Sequence, residues 1–382
     1  LGMEALGSTF RGLQAPFVLL AALLPLLAYG LAWDMGRSIA RSPRQRRRYA
    51  LLAGLLALFP GFYAHVLVLP DNFAPFALAG ALCLWTAGRG LCQGQPLWFG
   101  LAGLAAGFGH LSRADGLLLP GIVLAAALAQ LWPAAGGRGG VRHALAGAAL
   151  GLLGYLCVMA PWFVRNWLVT GQALPTSGTQ TLFLTDYDDM FAWGRPLSVE
   201  SYLAWGWPAI LQSKVQALAV NLQRLWAEAL IIVLLPFAAL GLWRLRRVRL
   251  LWPFFLYLPL VFLAMTLAFT FPGVRGGLYH SAAALQVFFV AAAGPGLEWT
   301  LRWAARHRHG WHLDRAWRPF SAALLALAVL VTAFALWRGG VLSGDWNRRD
   351  WGHGELGGWL AAQGEAGTVA MVGDAPAFTW HT

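Results

Sequence analysis

The sequence predicts an all-α integral membrane protein, built as a polytopic bundle of about ten transmembrane helices. Three observations predict it. Hydrophobic residues make up 58% of the chain and charged residues only 12%, with a mean hydropathy of +0.58, a balance outside the range of water-soluble globular proteins of this length. Apolar runs approaching the ~20 residues that span a bilayer recur from end to end. The charges between those runs are sorted by sign, as membrane-protein loops are.

The runs fall in order at 15–33, 51–69, 73–88, 97–111 and 116–132, then at 144–162, 227–243, 250–269, 281–300 and 319–337. The connection after the first, 34–50, carries Arg37, Arg41, Arg44, Arg46, Arg47 and Arg48 and marks the cytoplasmic side. Strict alternation then puts 89–96, 133–143, 244–249 and 301–318 on that side, and the five segments together hold 18 of the 28 basic residues. The opposite side holds 13 of the 16 acids, so the formal net charge of +12 reports orientation and not a nucleic-acid partner. Cys83, Cys92 and Cys157 lie in spans or on the cytoplasmic side, in no disulfide or zinc pattern.

Alternation leaves 1–14, 70–72, 111–116, 163–226, 270–280 and 339–382 outside. In the long loop 163–226, Ile210, Leu211, Val215, Leu218 and Leu222 recur at helical spacing, which predicts an amphipathic helix along the outer surface leading into the run at 227. After the membrane domain, 1–338, "ELGGWLAAQ" predicts a short helix and "GTVAMVGDAP" a strand. Residues 339–382 are therefore expected to open an extracytoplasmic α/β soluble domain that is truncated at Thr382. With Leu1 in first place and no signal sequence before the first run, the chain is expected to be cut at its start as well.

Polar residues gather at the outer boundary. "HLSRADGLLLP" places Arg113 and Asp115 in an apolar stretch, where mid-bilayer depth would cost either charge several kcal/mol. A helix-connecting ion pair with Gly116 as the turn residue is one reading. The functional reading rests on company: Asp71 and Asn72 in "LPDNFAPF", Arg165 and Asn166 in "APWFVRNWLVTG", and Arg275, Tyr279 and His280 in "FPGVRGGLYHS" stand at the same level. Polar groups at one depth on several helices imply a shared site, with His110 beside it.

A guanidinium stays charged and offers a fork of donors suited to a phosphate oxyanion, so Arg113, Arg165 and Arg275 are candidates to grip a lipid phosphate. Snorkelling towards anionic head groups is the alternative for each. "DYDD", with Asp186, Asp188 and Asp189, fits the letters of the acid-x-acid motif that holds a metal and a nucleotide-sugar diphosphate. Nucleotide sugars are cytoplasmic and this loop is outside, which favours a loop cap or a substrate-gating carboxylate cluster. Metal binding by these acids is the minor alternative, and no cofactor is required by the sequence. His65 reads as a packed helix residue, and His307, His309 and His312 as part of a solvated basic loop.

The stretches "LSRADGLLLPGIVLAAAL", "APWFVRNWLVTGQALPT" and "FPGVRGGLYHSAAAL", in that order, resemble the GT-C superfamily of polytopic glycosyltransferases. The likeness is to bacterial family 39-like members related to protein mannosyltransferases and lipid A aminoarabinose transferases, and it extends over roughly residues 50–300. The resemblance implies a bacterial plasma-membrane enzyme that takes a sugar from a polyprenyl-phosphate carrier at the extracytoplasmic face and passes it to an acceptor, without a cofactor. It implies an inverting displacement, a carboxylate acting on the acceptor and arginines acting on the phosphate. The catalytic acid of the family's first outer loop is expected before Leu1, with Glu4 a poor stand-in. Asp71 matches a second acidic position, and Asp115 is the other catalytic candidate. Asn72, His110, Arg113, Arg165, Asn166, Asp186, Asp188, Asp189, Arg275, Tyr279 and His280 are the substrate-binding candidates, with membrane lipids as the surrounding partners. A ligase or polymerase of O-antigen type is the nearest competitor. A secondary transporter would instead show internal repeats and charges near the midplane, and a non-catalytic scaffold of the same fold is the third alternative.

Overall fold

The computed structural model describes residues 10–131, 140–174, 177–192, 194–344, 346, 355–360 and 362. The structure is 84% helical, with no strand among the described residues. Its principal helices are α1 (Phe10–Ile39), α2 (Pro43–Ala57), α3 (Phe73–Gln93), α4 (Pro96–Ser112), α5 (Leu118–Leu128), α6 (Gly140–Thr170), α7 (Val199–Ala204), α8 (Trp207–Arg224), α9 (Leu235–Leu245), α10 (Trp252–Leu263), α11 (Leu278–His307) and α12 (Leu313–Arg338).

Among the described residues, six helical segments are long and apolar enough to cross a membrane: Gly12–Ile39, Ala114–Leu131, Gly140–Thr170, Arg249–Ala268, Thr270–His307 and Leu313–Arg338. The other expected spans do not each form one long apolar helix, and the backbone shows why. The run at 51–69 breaks where α2 ends and Pro60 is followed by Gly61 at φ +63°, a left-handed conformation suited to glycine. The run at 97–111 forms α4, only 17 residues long. That at 73–88 becomes α3, which takes in Arg89 and three glycines. The run at 227–243 is interrupted by a π-helical turn, Leu225–Ala229, and by Ile231 and Ile232 at φ +50° and +53°, before the 11-residue α9. Two β-branched residues in that region are strained.

The central pillar is α11. Every residue from Ser281 to Glu298 is buried, and 78% of its apolar window is buried, against 22–44% for the other five crossing segments. Backbones meet closely around it: a Cβ on Gly241 of α9 would lie 1.9 Å from the Ala292 carbonyl oxygen, and one on Gly296 would lie 1.8 Å from that of Phe237. Gly103 of α4 approaches Gly151 of α6 in the same way. Small residues at helix contacts are how packing is gained where lipid is as apolar as the side chains.

The surface helix α8 lies where the helical spacing put it. Of the predicted stripe only Ile210 is buried, while Leu211, Val215, Leu218 and Leu222 are exposed. The residues facing protein are Ile210, Ser213, Ala217 and Asn221. Asn221 Nδ2 donates to the Met265 carbonyl (3.2 Å) and to Thr266 Oγ1 (3.0 Å), and Lys214 Nζ donates to Thr270. The helix docks through polar and small groups and turns its apolar side outward, the arrangement suited to a lipid surface.

Long-range contacts sort into two ends. At the arginine-rich end, Gln45 and Tyr49 reach Glu298, Arg48 pairs with Asp314, and Arg89 pairs with Asp34. At the opposite end, Gln14 reaches Val68, Gly61 reaches Thr332, and Asn72 reaches His280. The segment 34–50, read as a loop, is mostly the ends of α1 and α2. Ser42 caps α2, accepting from the Gln45 amide, with Pro43 at the first helical position. Residues 355–360 are helical, as "ELGGWLAAQ" suggested. The strand expected within 367–376 and the residue Glu4 lie outside the described residues.

Candidate functional site

Three chain turns build a polar cluster at the end opposite the arginines. The first is the turn leading into α3, which presents Asp71 and Asn72. The second is the turn between α4 and α5, where Arg113 takes an extended conformation and its carbonyl accepts from the Gly116 amide (3.0 Å). A Cβ on Gly116 would lie 2.5 Å from the Gly109 backbone, so only glycine lets this turn fold tightly against the end of α4. The third is the start of α11, with Tyr279, His280 and Ser281.

These turns bring together residues far apart in sequence. Arg113 Nε donates to Asp115 Oδ1 at 2.9 Å, and the two side chains are 16% and 11% exposed. Ser281 Oγ donates to the other oxygen of Asp115. Arg113 Nη1 reaches Asn72 Oδ1 at 3.4 Å, and the same oxygen accepts from His280 Nδ1 at 2.7 Å. An amide oxygen only accepts, so His280 carries its proton on Nδ1, and when neutral it presents Nε2 as an acceptor. Its ring stacks on Phe73 with centroids 3.7 Å apart. Asp71 is exposed, and one of its oxygens accepts from the Asn72 amide at 2.6 Å. Arg113, Asp71, Asp115 and Arg224 all interact electrostatically with the His280 imidazole.

The other predicted residues stand apart from this core. Tyr279 is adjacent, but its hydroxyl donates to the Phe62 carbonyl (2.6 Å) and its ring stacks on Tyr63 at 4.7 Å, which ties the break after α2 to α11. His110 is buried and within hydrogen-bond distance of the Tyr155 hydroxyl (2.8 Å), one turn before Arg113. Arg165 is exposed and lies over Trp162, 5.0 Å from the ring centre. Asn166 is buried and donates to the Ala173 carbonyl, fastening the chain that leaves α6.

Arg275 is exposed on the π-helical turn Gly273–Gly277, with its guanidinium 5.2 Å from the Tyr187 ring centre. It therefore meets the 186–189 segment. There Asp186 caps a short helical turn by accepting from the Asp188 amide at 2.9 Å, and Asp188 is exposed. Asp189 accepts from the Thr185 hydroxyl and amide and from the Asp186 amide, and pairs with Arg195. Burial pushes its carboxyl up, but those hydrogen bonds and the Arg195 charge outweigh burial and hold it below the usual carboxylate range. This is the loop-cap reading of "DYDD". Among the described residues no group of three His, Cys, Asp or Glu side chains is placed to hold a metal.

Two participants escaped the sequence reading. Ser281 follows His280 directly but is a single hydroxyl in an apolar helix. Arg224 pairs with Glu228 at 3.2 Å and donates to the Val274 carbonyl at 2.9 Å. Their four-residue spacing on a helix was the available signal.

An apolar groove of about 480 Å³ runs beside the cluster, between α3 and α4. Leu82, Thr86 and Leu101 line it towards one end, and Pro75, Phe108 and Ser112 towards the other. Ser112 is the residue before Arg113. No family model, curated protein or solved structure matches the chain.

Proposed function

We propose that the chain is a membrane glycosyltransferase of the GT-C kind, taking a sugar from a polyprenyl-phosphate-linked donor at the extracytoplasmic face of a bacterial plasma membrane. The observation that carries this reading is the charged cluster at the head of an apolar groove. An isoprenoid tail lies in the groove between α3 and α4, and its phosphate stands beside Arg113. Asp115 accepts from Arg113 Nε, and this fixes the guanidinium with its terminal nitrogens turned towards Asn72 and the donor. Asp115, with both oxygens engaged, is a positioning residue. Asp71 is the carboxylate left open.

In the reaction, an acceptor hydroxyl oxygen bonds to the anomeric carbon as the bond from that carbon to the phosphate oxygen breaks. Polyprenyl phosphate leaves with the bonding pair, the hydroxyl proton passes to a carboxylate, and the anomeric configuration inverts. Asp71 orients or deprotonates the acceptor. Arg113 stabilises the charge growing on the phosphate in a site with little water to screen it.

The test is a polyprenyl-phosphate sugar bearing a photoreactive group on its tail. Labelling should concentrate at Leu78, Leu104 and Phe108 and disappear when unmodified polyprenyl phosphate is added. Asp71→Asn should leave that labelling intact, because Asp71 acts on the acceptor and not on the donor's tail. Labelling spread evenly over lipid-facing residues, and not displaced, would overturn the proposal.

A further inference from the structure

The opposite, arginine-rich end holds a second cleft, of about 370 Å³, between the end of α9, the start of α2 and α11. We propose that it binds the phosphate head group of an anionic phospholipid of the cytoplasmic leaflet. The inference is independent of the transferase reading.

At the floor of the cleft lies Glu298, whose side chain is 5% exposed. One carboxylate oxygen accepts from Gln45 Nε2 at 2.7 Å and from Arg302, and the other accepts from the Tyr49 hydroxyl at 2.7 Å. Its charge is therefore neutralised within the floor. The wall carries Arg244, Arg246 and Arg247, and among the described residues none of these pairs with an acid. Other arginines at this end are committed: Arg48 to Asp314, Arg89 to Asp34, and Arg46 to the Trp33 carbonyl and ring. Arg246 is held ready, with Nη1 donating to the Trp243 carbonyl at 2.7 Å and its plane 4.4 Å from the indole centre, so the rest of its fork remains open.

A lipid fits better than a soluble phosphate because of what adjoins the arginines. Leu235, Ala239 and Trp243 form an exposed stripe down α9, four residues apart, and Arg246 and Arg247 continue the same face at its foot. An acyl chain follows that stripe, Trp243 sits at the depth where tryptophans mark the interface, and the phosphate meets the forks below it. Basic pockets between helices at the cytoplasmic face suit anionic head groups.

The experiment is native mass spectrometry of the whole chain released from nanodiscs of phosphatidylcholine containing phosphatidylglycerol. The parent should retain one phosphatidylglycerol in preference to phosphatidylcholine. Arg246→Gln with Arg247→Gln should weaken that retention at least 10-fold, and the Lys pair should restore part of it. Arg306→Gln with Arg308→Gln removes the same charge from a nearby segment outside the cleft and should change nothing. Unchanged melting of the Gln pair shows that it remains folded. Equal loss in both Gln pairs, or retention indifferent to head group, would reduce the cleft to general surface charge and overturn the proposal. Displacement of the lipid by millimolar inorganic phosphate would overturn the assignment to a lipid.

Discussion

Asp115→Asn removes the charge that faces Arg113 while keeping the shape of the side chain. The pair is neither open to solvent nor sealed, at 16% and 11% exposure. Losing a hydrogen bond to a charged group costs about 1.5–3 kcal/mol, and stripping the partner from a fully buried ion pair costs about 3–5 kcal/mol. The partial exposure and the oxygen that Asn retains place the expected loss in the lower range. Arg113→Gln should cost a similar amount, because among the described residues it leaves Asp115 with only Ser281 as hydrogen-bond partner. The two losses should not add: the double variant should fall short of their sum by more than about 1 kcal/mol. The assay is unfolding of the detergent-solubilised protein by titration with a denaturing detergent, run on the four members of the cycle. Losses that add to within about 0.5 kcal/mol would show that the pair is not coupled and would refute the geometry from which Arg113 takes its orientation.

Cysteines introduced at Gln180 and at Arg308 in a background lacking the three native cysteines should differ in intact cells, with the first labelled by a membrane-impermeant reagent and the second not; the reverse pattern would invert the topology. Gly296→Val should destabilise the protein by roughly 1–3 kcal/mol in the same unfolding assay, because even its Cβ would lie 1.8 Å from the Phe237 carbonyl oxygen. Gly121→Val, where nothing lies within 4 Å, should be neutral. The loop around Asp189 should loosen in acid: a carboxyl held below its unfolded value of about 3.9 contributes its full stability above that pH and loses it as pH falls through the lower folded value. Amide exchange at Thr185 and Asp186, corrected for intrinsic rate, should therefore rise below about pH 4, and Asp189→Asn should remove the dependence.

Much of the fold was legible because lipid exposure demands long apolar runs, and α1, α6, α11 and α12 coincide with such runs. The continuity of the other runs was not, because hydropathy does not register where a run breaks. Pro60 and Gly61 end one helix, and Ile231 and Ile232 bend another through a conformation their side chains disfavour. The helical stripe of α8 was legible in the spacing of Leu211, Val215 and Leu222, but the polar face by which it docks, Ser213 and Asn221, was not. At the site, depth was the useful signal. Asn72, Arg113, Asp115 and His280 share a level and also meet, whereas Arg165 shares the level but projects outward over Trp162. Sequence position gives the height of a residue along its helix, and only the packing gives its bearing around the bundle. The acids at 186–189 carried a motif's letters, yet two of them are accounted for by the turn they cap.

The most direct test of the account is equilibrium binding of polyprenyl phosphate to the purified chain in nanodiscs, beside the uncharged polyprenol of the same length. The account predicts saturable binding of the phosphate, much weaker binding of the alcohol, and a loss of about 10- to 100-fold in Arg113→Ala, equivalent to one charge-assisted contact of about 1.5–3 kcal/mol. Arg165→Ala should bind as the parent does. Equal binding of phosphate and alcohol, or an Arg113→Ala protein that binds as tightly as the parent, would contradict it.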